Sequence, residues 1–316
     1  MPCRHCGSPP CLEFVLGIND EEYNIGGERP CRRRHPQAWA VGALWFSEIR
    51  WHGDFFNKLG VMLVERTILV TGSASGIGAA TYALLRGQGH RVIGVDLRDA
   101  EIEVDLSNAA GRSKLAAEAA RMAPGGLDGV IAAAGTHAPD AELVVSVNYF
   151  GAVATLENLH QLLIRSSRPR AVVISSTAVL SPIDQPIYDA CLAHDEALAR
   201  AHALRMSANA YASSKKALAR WTRQSAVSEK WAGSGILLNA VMPGTVKTAM
   251  TAPVLATAEG RAALKVLTPI ATANYGEPVE VAEMLDFLVN LKGNYVVGQL
   301  IFVDGGTDAI RRPEVF

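Results

Sequence analysis

Tyr211 and Lys215 stand four positions apart in the run Tyr211, Ala212, Ser213, Ser214, Lys215. On a helix that spacing puts both side chains on one face, one turn apart. A phenol beside an ammonium is a usable acid–base pair. The positive charge favours phenolate, drawing a group whose ordinary pKa is near ~10 toward neutral pH, where it can exchange a proton with a substrate hydroxyl. The other reading is two exposed residues on an Ala-rich helix, and the surrounding elements decide between them.

Upstream, the β-branched run Thr67 to Val70 leads into Thr71, Gly72, Ser73, Ala74, Ser75, Gly76, Ile77, Gly78 and then the helical stretch Ala79 to Leu85. Strand, glycine turn and helix in that order let the backbone approach a pyrophosphate and aim helix N–H groups at its charge. The next strand, Arg91 to Asp96, ends in an acid about twenty residues past the glycines, where a carboxylate hydrogen-bonds ribose hydroxyls and repels a 2′-phosphate. NAD(H) is therefore expected over NADP(H), with Arg98 near enough in sequence to soften the preference. A fourth strand runs from Gly129 into Ala132, Ala133, Ala134 and Gly135, small residues that leave room for a flat ring and its ribose.

These motifs, taken in order, resemble the short-chain dehydrogenase/reductase family over about Met62 to Phe316. The resemblance implies an α/β fold: a Rossmann-type, doubly wound, mostly parallel seven-stranded sheet in a single domain. It implies a cofactor cradle of Gly72, Ser73, Ser75, Gly76, Ile77 and Gly78, with Asp96 on the ribose, Asp105 and Leu106 at adenine, and Ala133, Ala134 and Gly135 farther along. Pro243, Gly244, Thr245 and Thr248 would meet the nicotinamide amide and phosphates, and Tyr211 and Lys215 its ribose. The catalytic set would be Asn148, Ser176, Tyr211 and Lys215. Ser175 competes with Ser176, but period-two alternation at a strand end turns only one of them to the crevice. Asn148 would bind a water linking Lys215 to solvent. The departure from the family pattern is Ala132 and Ala133, which stand where two Asn are usual and remove their side-chain support of the central strand. Gly94 to Glu101, Val144 to Ala152 and Asp304 to Ala309 are similar to the bacterial hydroxysteroid dehydrogenase/carbonyl reductase branch.

Composition fits one such domain. About 255 residues follow the leader, enough for a substantial core. The formal net charge of -1 offers no field to attract nucleic acid or an anionic membrane. The apolar stretch Ala38 to Phe46 is far short of the ~20 residues that cross a bilayer, so a cytoplasmic protein is expected. Residues 1–61 hold Cys3, Cys6, Cys11 and Cys31 with three of the five Trp and little periodicity. They read as a disordered extension or a mis-assigned start, Met62 being the ordinary beginning. Cys3, Cys6, His5, Cys11 and His35 lack regular zinc spacing, so no metal is expected. Lone Cys191 suggests a reduced thiol.

Strands are expected at about 66–71, 91–96, 102–104, 129–134, 170–175, 236–241 and 299–303, separated by Ala- and Leu-rich helices. Ser176 and Tyr211 are much farther apart than the family's common form places them, which leaves an insertion near 177–208. Within it, Ala190 to Leu204 reads as one amphipathic helix with Leu192, Leu198 and Leu204. It is a surface helix, a lid, or a helix that alters subunit packing. The resemblance makes a homodimer the expected assembly, since the insertion would obstruct the face of the Tyr-bearing helix. His194 and His202 are expected to face solvent.

Candidate substrate walls are 136–139, 177–187 and 246–258, largely apolar or hydroxylated and without an Arg cluster for an anion. The expected chemistry is NAD(P)-dependent interconversion of a lipophilic secondary alcohol and ketone, hydroxysteroid-like. Terpenoid or aromatic alcohols of the coniferyl type, or a non-catalytic nucleotide sensor of the same fold, are the alternatives.

Overall fold

The computed structural model describes residues 65–315. The expectations for residues 1–61, zinc site included, lie outside the described residues. Seven strands, β1 (Thr67–Thr71), β2 (Arg91–Asp96), β3 (Ile102–Glu103), β4 (Gly129–Ala132), β5 (Arg170–Ile174), β6 (Leu237–Pro243) and β7 (Leu300–Val303), make one sheet in the order β3-β2-β1-β4-β5-β6-β7. Every neighbouring pair is parallel, so the sheet is wholly rather than mostly parallel. β4 ends at Ala132, two residues short of expectation, because the N–H groups of Ala133 and Ala134 both turn to Thr71 Oγ1, at 3.1 and 3.0 Å. That hydroxyl supports the strand end where the resemblance had lost two Asn.

The helices are α1 (Gly76–Gly87), α2 (Ala109–Met122), α3 (Ala141–Val145), α4 (Ala152–Leu163), α5 (Gln185–Leu192), α6 (Glu196–Arg205), α7 (Ala210–Ala226), α8 (Ala252–Ala256), α9 (Ala258–Leu267), α10 (Pro278–Asn290) and α11 (Thr307–Arg311). Strand alternation sends Ile68, Val70 and Val172 to one face, where Leu85 of α1 and Val281, Leu285 and Leu288 of α10 cover them. Leu69, Val130 and Val173 point the other way, into a second core closed by Leu115 of α2, Leu156 of α4, and Leu218 and Trp221 of α7. Burial on both faces explains strands that read as continuous apolar runs. The order reverses between β1 and β4, so the loops after those strands diverge and open a crevice at their carboxyl ends. At the opposite end Arg66, 3% exposed, donates to the carbonyls of Asp128 (2.6 Å), Arg168 (2.8 Å) and Val289, tying three strand entries to α10.

The insertion differs from expectation. It is two helices, not one. Asp195 caps α6 by accepting from Leu198 N at 2.9 Å, and His194 just before it takes φ +59, so the chain cannot continue α5 into α6. The packed face is also different: Ile187, Ala190, Cys191, Ala199 and Ala203 are buried, whereas Leu198 and Leu204 face solvent. Small residues allow close approach of α5 to α7 and of α6 to α3. His194 is exposed and His202 half-buried. Among the described residues no helix is long and apolar enough to cross a membrane, and no group of three His, Cys, Asp or Glu is placed to hold a metal ion.

Candidate active site

One elongated cleft of about 430 Å³ runs along the carboxyl edge of the sheet. At its first end the glycine turn joins β1 to α1. Gly72 has φ +73, and a methyl group there would stand 2.9 Å from Ala134 Cα, so only glycine lets the turn lie against the Ala133–Ala134 backbone that follows β4. Gly76 has φ +55 and looks across the cleft at Thr248, where a side chain would fill the cradle. Ser75, the residue before α1, makes no side-chain cap, so the first-turn N–H groups have no partner from its side chain.

Asp96 closes this end, and its carboxylate already has work. It accepts from Ala74 N (2.9 Å) and Leu97 N (2.7 Å), bracing the glycine turn. The Arg98 side chain is exposed and lies toward Asp99, 3.9 Å away. Asp105 and Leu106 line the cleft next. The Asp105 carboxyl is held below its ordinary pKa, first by Ser107 and then by Asn108 and the Arg112 charge, outweighing its partial burial.

Farther along, Tyr211 and Lys215 rise from α7 beside Ser176 at the end of β5. Lys215 is 4% exposed. Its Nζ donates to the Ile174 carbonyl at 2.9 Å and lies 5.9 Å from the Tyr211 ring centroid. Burial brings its pKa down to about 8. For Tyr211, burial pushes the phenol above its ordinary value, with the Ser176 hydroxyl pulling it partly back. Desolvation therefore works against the pull of Lys215 on the phenol: it acts on both groups, and the ammonium donates to a backbone carbonyl. The choice between the two serines is geometric. Ser175, 2% exposed, donates its hydroxyl to the Lys215 carbonyl at 2.9 Å, while Ser176 is the one beside the phenol. Ser176 Oγ also accepts from Ala178 N at 3.1 Å, which fixes its rotamer.

Most of the predicted cofactor residues border the cleft: Gly72, Ser75, Gly76, Ile77, Gly78, Asp96, Asp105, Leu106, Ala133, Ala134, Gly135, Pro243, Gly244 and Thr248. Three predicted site residues do not. Ser73 is buried under the turn against Gly94 of β2. Thr245 turns the other way and shares a 2.8 Å hydrogen bond with Thr268 Oγ1. Asn148 is fully buried behind the wall, in a π-helical turn (Ser146–Gly151), with its amide paired to both backbone groups of Thr136 at 2.8 and 2.9 Å. It thereby holds the loop after Gly135.

The substrate end is apolar, bordered by Leu143, Val147, Val246 and Met250 with Thr136 and Thr251. Leu143 and Val147 were not expected, although their spacing of four beside Asn148 was the available signal. No residue of the expected wall at 177–187 borders this cleft, and Ile187 is 0% exposed within the core. The His137 ring stands edge-on to Tyr211, with centroids 4.9 Å apart. The glycine turn, the helix start that Ser75 leaves uncapped, the Asp96 carboxylate and the small residues Ala133, Ala134 and Gly135 together fit a nicotinamide dinucleotide.

Comparison with known proteins agrees. The short chain dehydrogenase family matches residues 66–203, and the Enoyl-(Acyl carrier protein) reductase family matches residues 197–308. The chain belongs to the short-chain dehydrogenase/reductase family and is a nicotinamide-dependent oxidoreductase acting on CH–OH groups. Among individual relatives it is 38% identical to the 3-alpha-hydroxysteroid dehydrogenase/carbonyl reductase of Comamonas testosteroni, over 79% of this chain and 99% of that one. It is 30% identical to the cis-4-hydroxycyclohexanecarboxylate dehydrogenase of Sinomonas cyclohexanicum, over 80% and 100%. The crystal structure of the 3-alpha-hydroxysteroid dehydrogenase from Pseudomonas sp. B-0831 complexed with NADH superposes with a TM-score of 0.75 at 39% identity, covering 79% of this chain and all of that one.

Proposed function

We propose that this chain is an NAD-dependent dehydrogenase that interconverts a lipophilic secondary alcohol of the hydroxysteroid type and its ketone. The observation that carries the reading is one cleft holding the Tyr211 phenol, hydrogen-bonded to Ser176 and with Lys215 beside it, between an Asp96 end and an uncharged, apolar end. Bound NAD⁺ would accept a hydride there, and NADH would return it. Tyr211 takes the alcohol's proton during oxidation and gives it back during reduction. Ser176 donates to the substrate oxygen and sets its distance from that phenol, an orienting and electrostatic contribution. Lys215 holds the nicotinamide ribose hydroxyls, and its charge favours the phenolate once a ligand draws it from the Ile174 carbonyl. Asn148 fixes the Thr136 backbone, keeping one N–H and one lone pair for the water of a relay toward Lys215. Ser73 and Thr245 act beneath the turn and behind the wall, on its shape. Leu143, Val147 and Met250 favour a flat apolar substrate over a sugar phosphate, because among the described residues no Arg borders the cleft to meet an anion.

The same reading includes a homodimer, since α5 lies along α7 and α6 along α3, on part of the face through which the Tyr-bearing helix would meet a second copy. It also places the work in steroid metabolism in the cytoplasm, where a buried Cys191 stays reduced, and takes residues 62–316 as the working domain. The test is NADH absorbance followed with a panel of lipophilic and charged alcohols. Turnover of hydroxysteroids supports the proposal, and turnover confined to hydroxy acids or sugar phosphates refutes it.

A further inference from the structure

The strongest side-chain cluster outside the reacting groups joins the insertion to the adenine end of the cleft. Arg112 of α2 is 8% exposed. Four of its five N–H groups are paired: Nη1 and Nη2 donate to the two Glu196 carboxylate oxygens at 2.6 and 2.8 Å, Nε donates to the Leu106 carbonyl at 2.8 Å, and Nη2 also reaches the Ser146 carbonyl at 3.0 Å. Glu196 opens α6 of the insertion, 84 positions away in sequence. Leu106 and Asp105 border the cleft, and Ser146 begins the π-helical turn that carries Asn148.

We propose that Glu196 is a positioning residue for the adenine half of the cofactor site, acting through Arg112 on the Leu106 carbonyl. A buried guanidinium without a carboxylate would draw in water or swing outward, because an unpaired charge is costly away from solvent. Planar two-pronged pairing with Glu196 holds the guanidinium in one orientation, and that orientation aims Nε at Leu106. The insertion thus supplies the counter-charge that lets a cation stand under the adenine loop. Burial pushes the Glu196 carboxyl up, but the Arg112 hydrogen bonds and charge outweigh it and keep it ionised. Arg112 also helps hold Asp105 ionised. Neither Arg112 nor Glu196 borders the cleft, so both act at one remove from any ligand.

The inference rests on the cofactor orientation proposed above, and the test separates the two. In the full chain, dissociation constants are measured for NADH, for AMP and for reduced nicotinamide mononucleotide, with steady-state kinetics alongside. Glu196→Gln should weaken NADH and AMP together by about five- to tenfold, through loss of a charge-assisted pair, and leave the mononucleotide unchanged. KM for NAD⁺ should rise, while kcat and the KM for alcohol stay near the parent's. Arg112→Met should show the same pattern, and the double variant should be no weaker than the worse single one. A folded Glu196→Gln variant that binds AMP as the parent does, or loses AMP and mononucleotide alike, overturns the inference. Should that variant not fold, Glu196→Asp, which keeps the charge but withdraws it by one methylene, should weaken NADH and AMP by a smaller factor with the mononucleotide unchanged, and AMP binding equal to the parent's in it overturns the inference. A parent that binds neither NADH nor AMP refutes the cofactor reading instead.

Discussion

Lys215 is the point at which burial and charge can be weighed directly. Its ammonium sits 4% exposed with one hydrogen bond, to the Ile174 carbonyl, and its pKa falls from 10.5 to about 8. A lysine depressed in the folded state costs nothing above its unfolded pKa, and its cost is complete once the pH drops below the folded one. At ~1.4 kcal/mol per tenfold change in proton affinity, that fall makes the cost about 3 kcal/mol at pH 7 and under about 1 kcal/mol at pH 10. Lys215→Met removes the charge, fills the same space, and forfeits about 1 kcal/mol of hydrogen bond to Ile174. The net expectation is a gain of about 2 kcal/mol at pH 7, or roughly 4–8 °C in melting temperature for a domain of this size. By pH 10 the gain should have vanished or reversed. The assay is thermal and urea unfolding of cofactor-free parent and variant across pH 7 to 10, taking the difference at each pH so that other titrations cancel. A difference that stays flat with pH would show that the buried ammonium is not being desolvated and refute the reasoning. The variant should at the same time be inactive. A gain of stability coupled to loss of turnover is what a functional charge kept against a folding penalty produces.

Tyr211→Phe keeps the ring and removes the proton carrier, so kcat should fall by at least ~10² with the NADH dissociation constant nearly unchanged; near-normal turnover would end the assignment. Asp96→Ala should narrow the NAD⁺ to NADP⁺ ratio of kcat/KM, and because Asp96 also braces Ala74 N, NAD⁺ efficiency should drop in absolute terms; equal use of both cofactors by the parent would refute the role. A chain beginning at Met62 keeps every element of the site and should match the full chain in melting temperature and activity; unfolding would show that the leader contributes to the domain. In that shorter chain Cys191 is the sole thiol. Burial pushes its pKa up to about 12, so reaction with a thiol reagent at pH 8 should be negligible until denaturant is added, and prompt labelling of native protein would contradict its burial.

The elements that place the cleft were legible because their chemistry is local. A turn that must take φ +73 at Gly72 needs glycine, a parallel strand buried on both faces needs an apolar run, and Tyr211 and Lys215 share a helix face by spacing alone. What escaped reading depended on which neighbour a side chain would meet. Ser73 and Thr245 sit in the right motifs but face away from the cleft, since the direction of a turn is set by the strand it folds against: Gly94 beneath one and Thr268 beside the other. The phenol's pKa escaped for the same reason, because spacing reports the ammonium and says nothing of the water removed around it.

The insertion is the sharpest instance. Its leucines recur at a plausible interval, and a helix packed by its largest apolar residues would have used them. The chain instead breaks at His194, recaps at Asp195, and packs α6 through Ala199 and Ala203, leaving Leu198 and Leu204 in solvent. Close packing through alanine brings the α6 backbone near enough for Glu196 to reach Arg112, and a bulkier contact face would hold that carboxylate farther out. The feature that misled the periodicity argument is thus the one that joins the insertion to the adenine loop. A segment that starts beside Ser176 and ends beside Tyr211 is tethered by the chain to the reacting groups, yet its half-buried ion pair with Arg112 reaches toward the Leu106 end of the cleft.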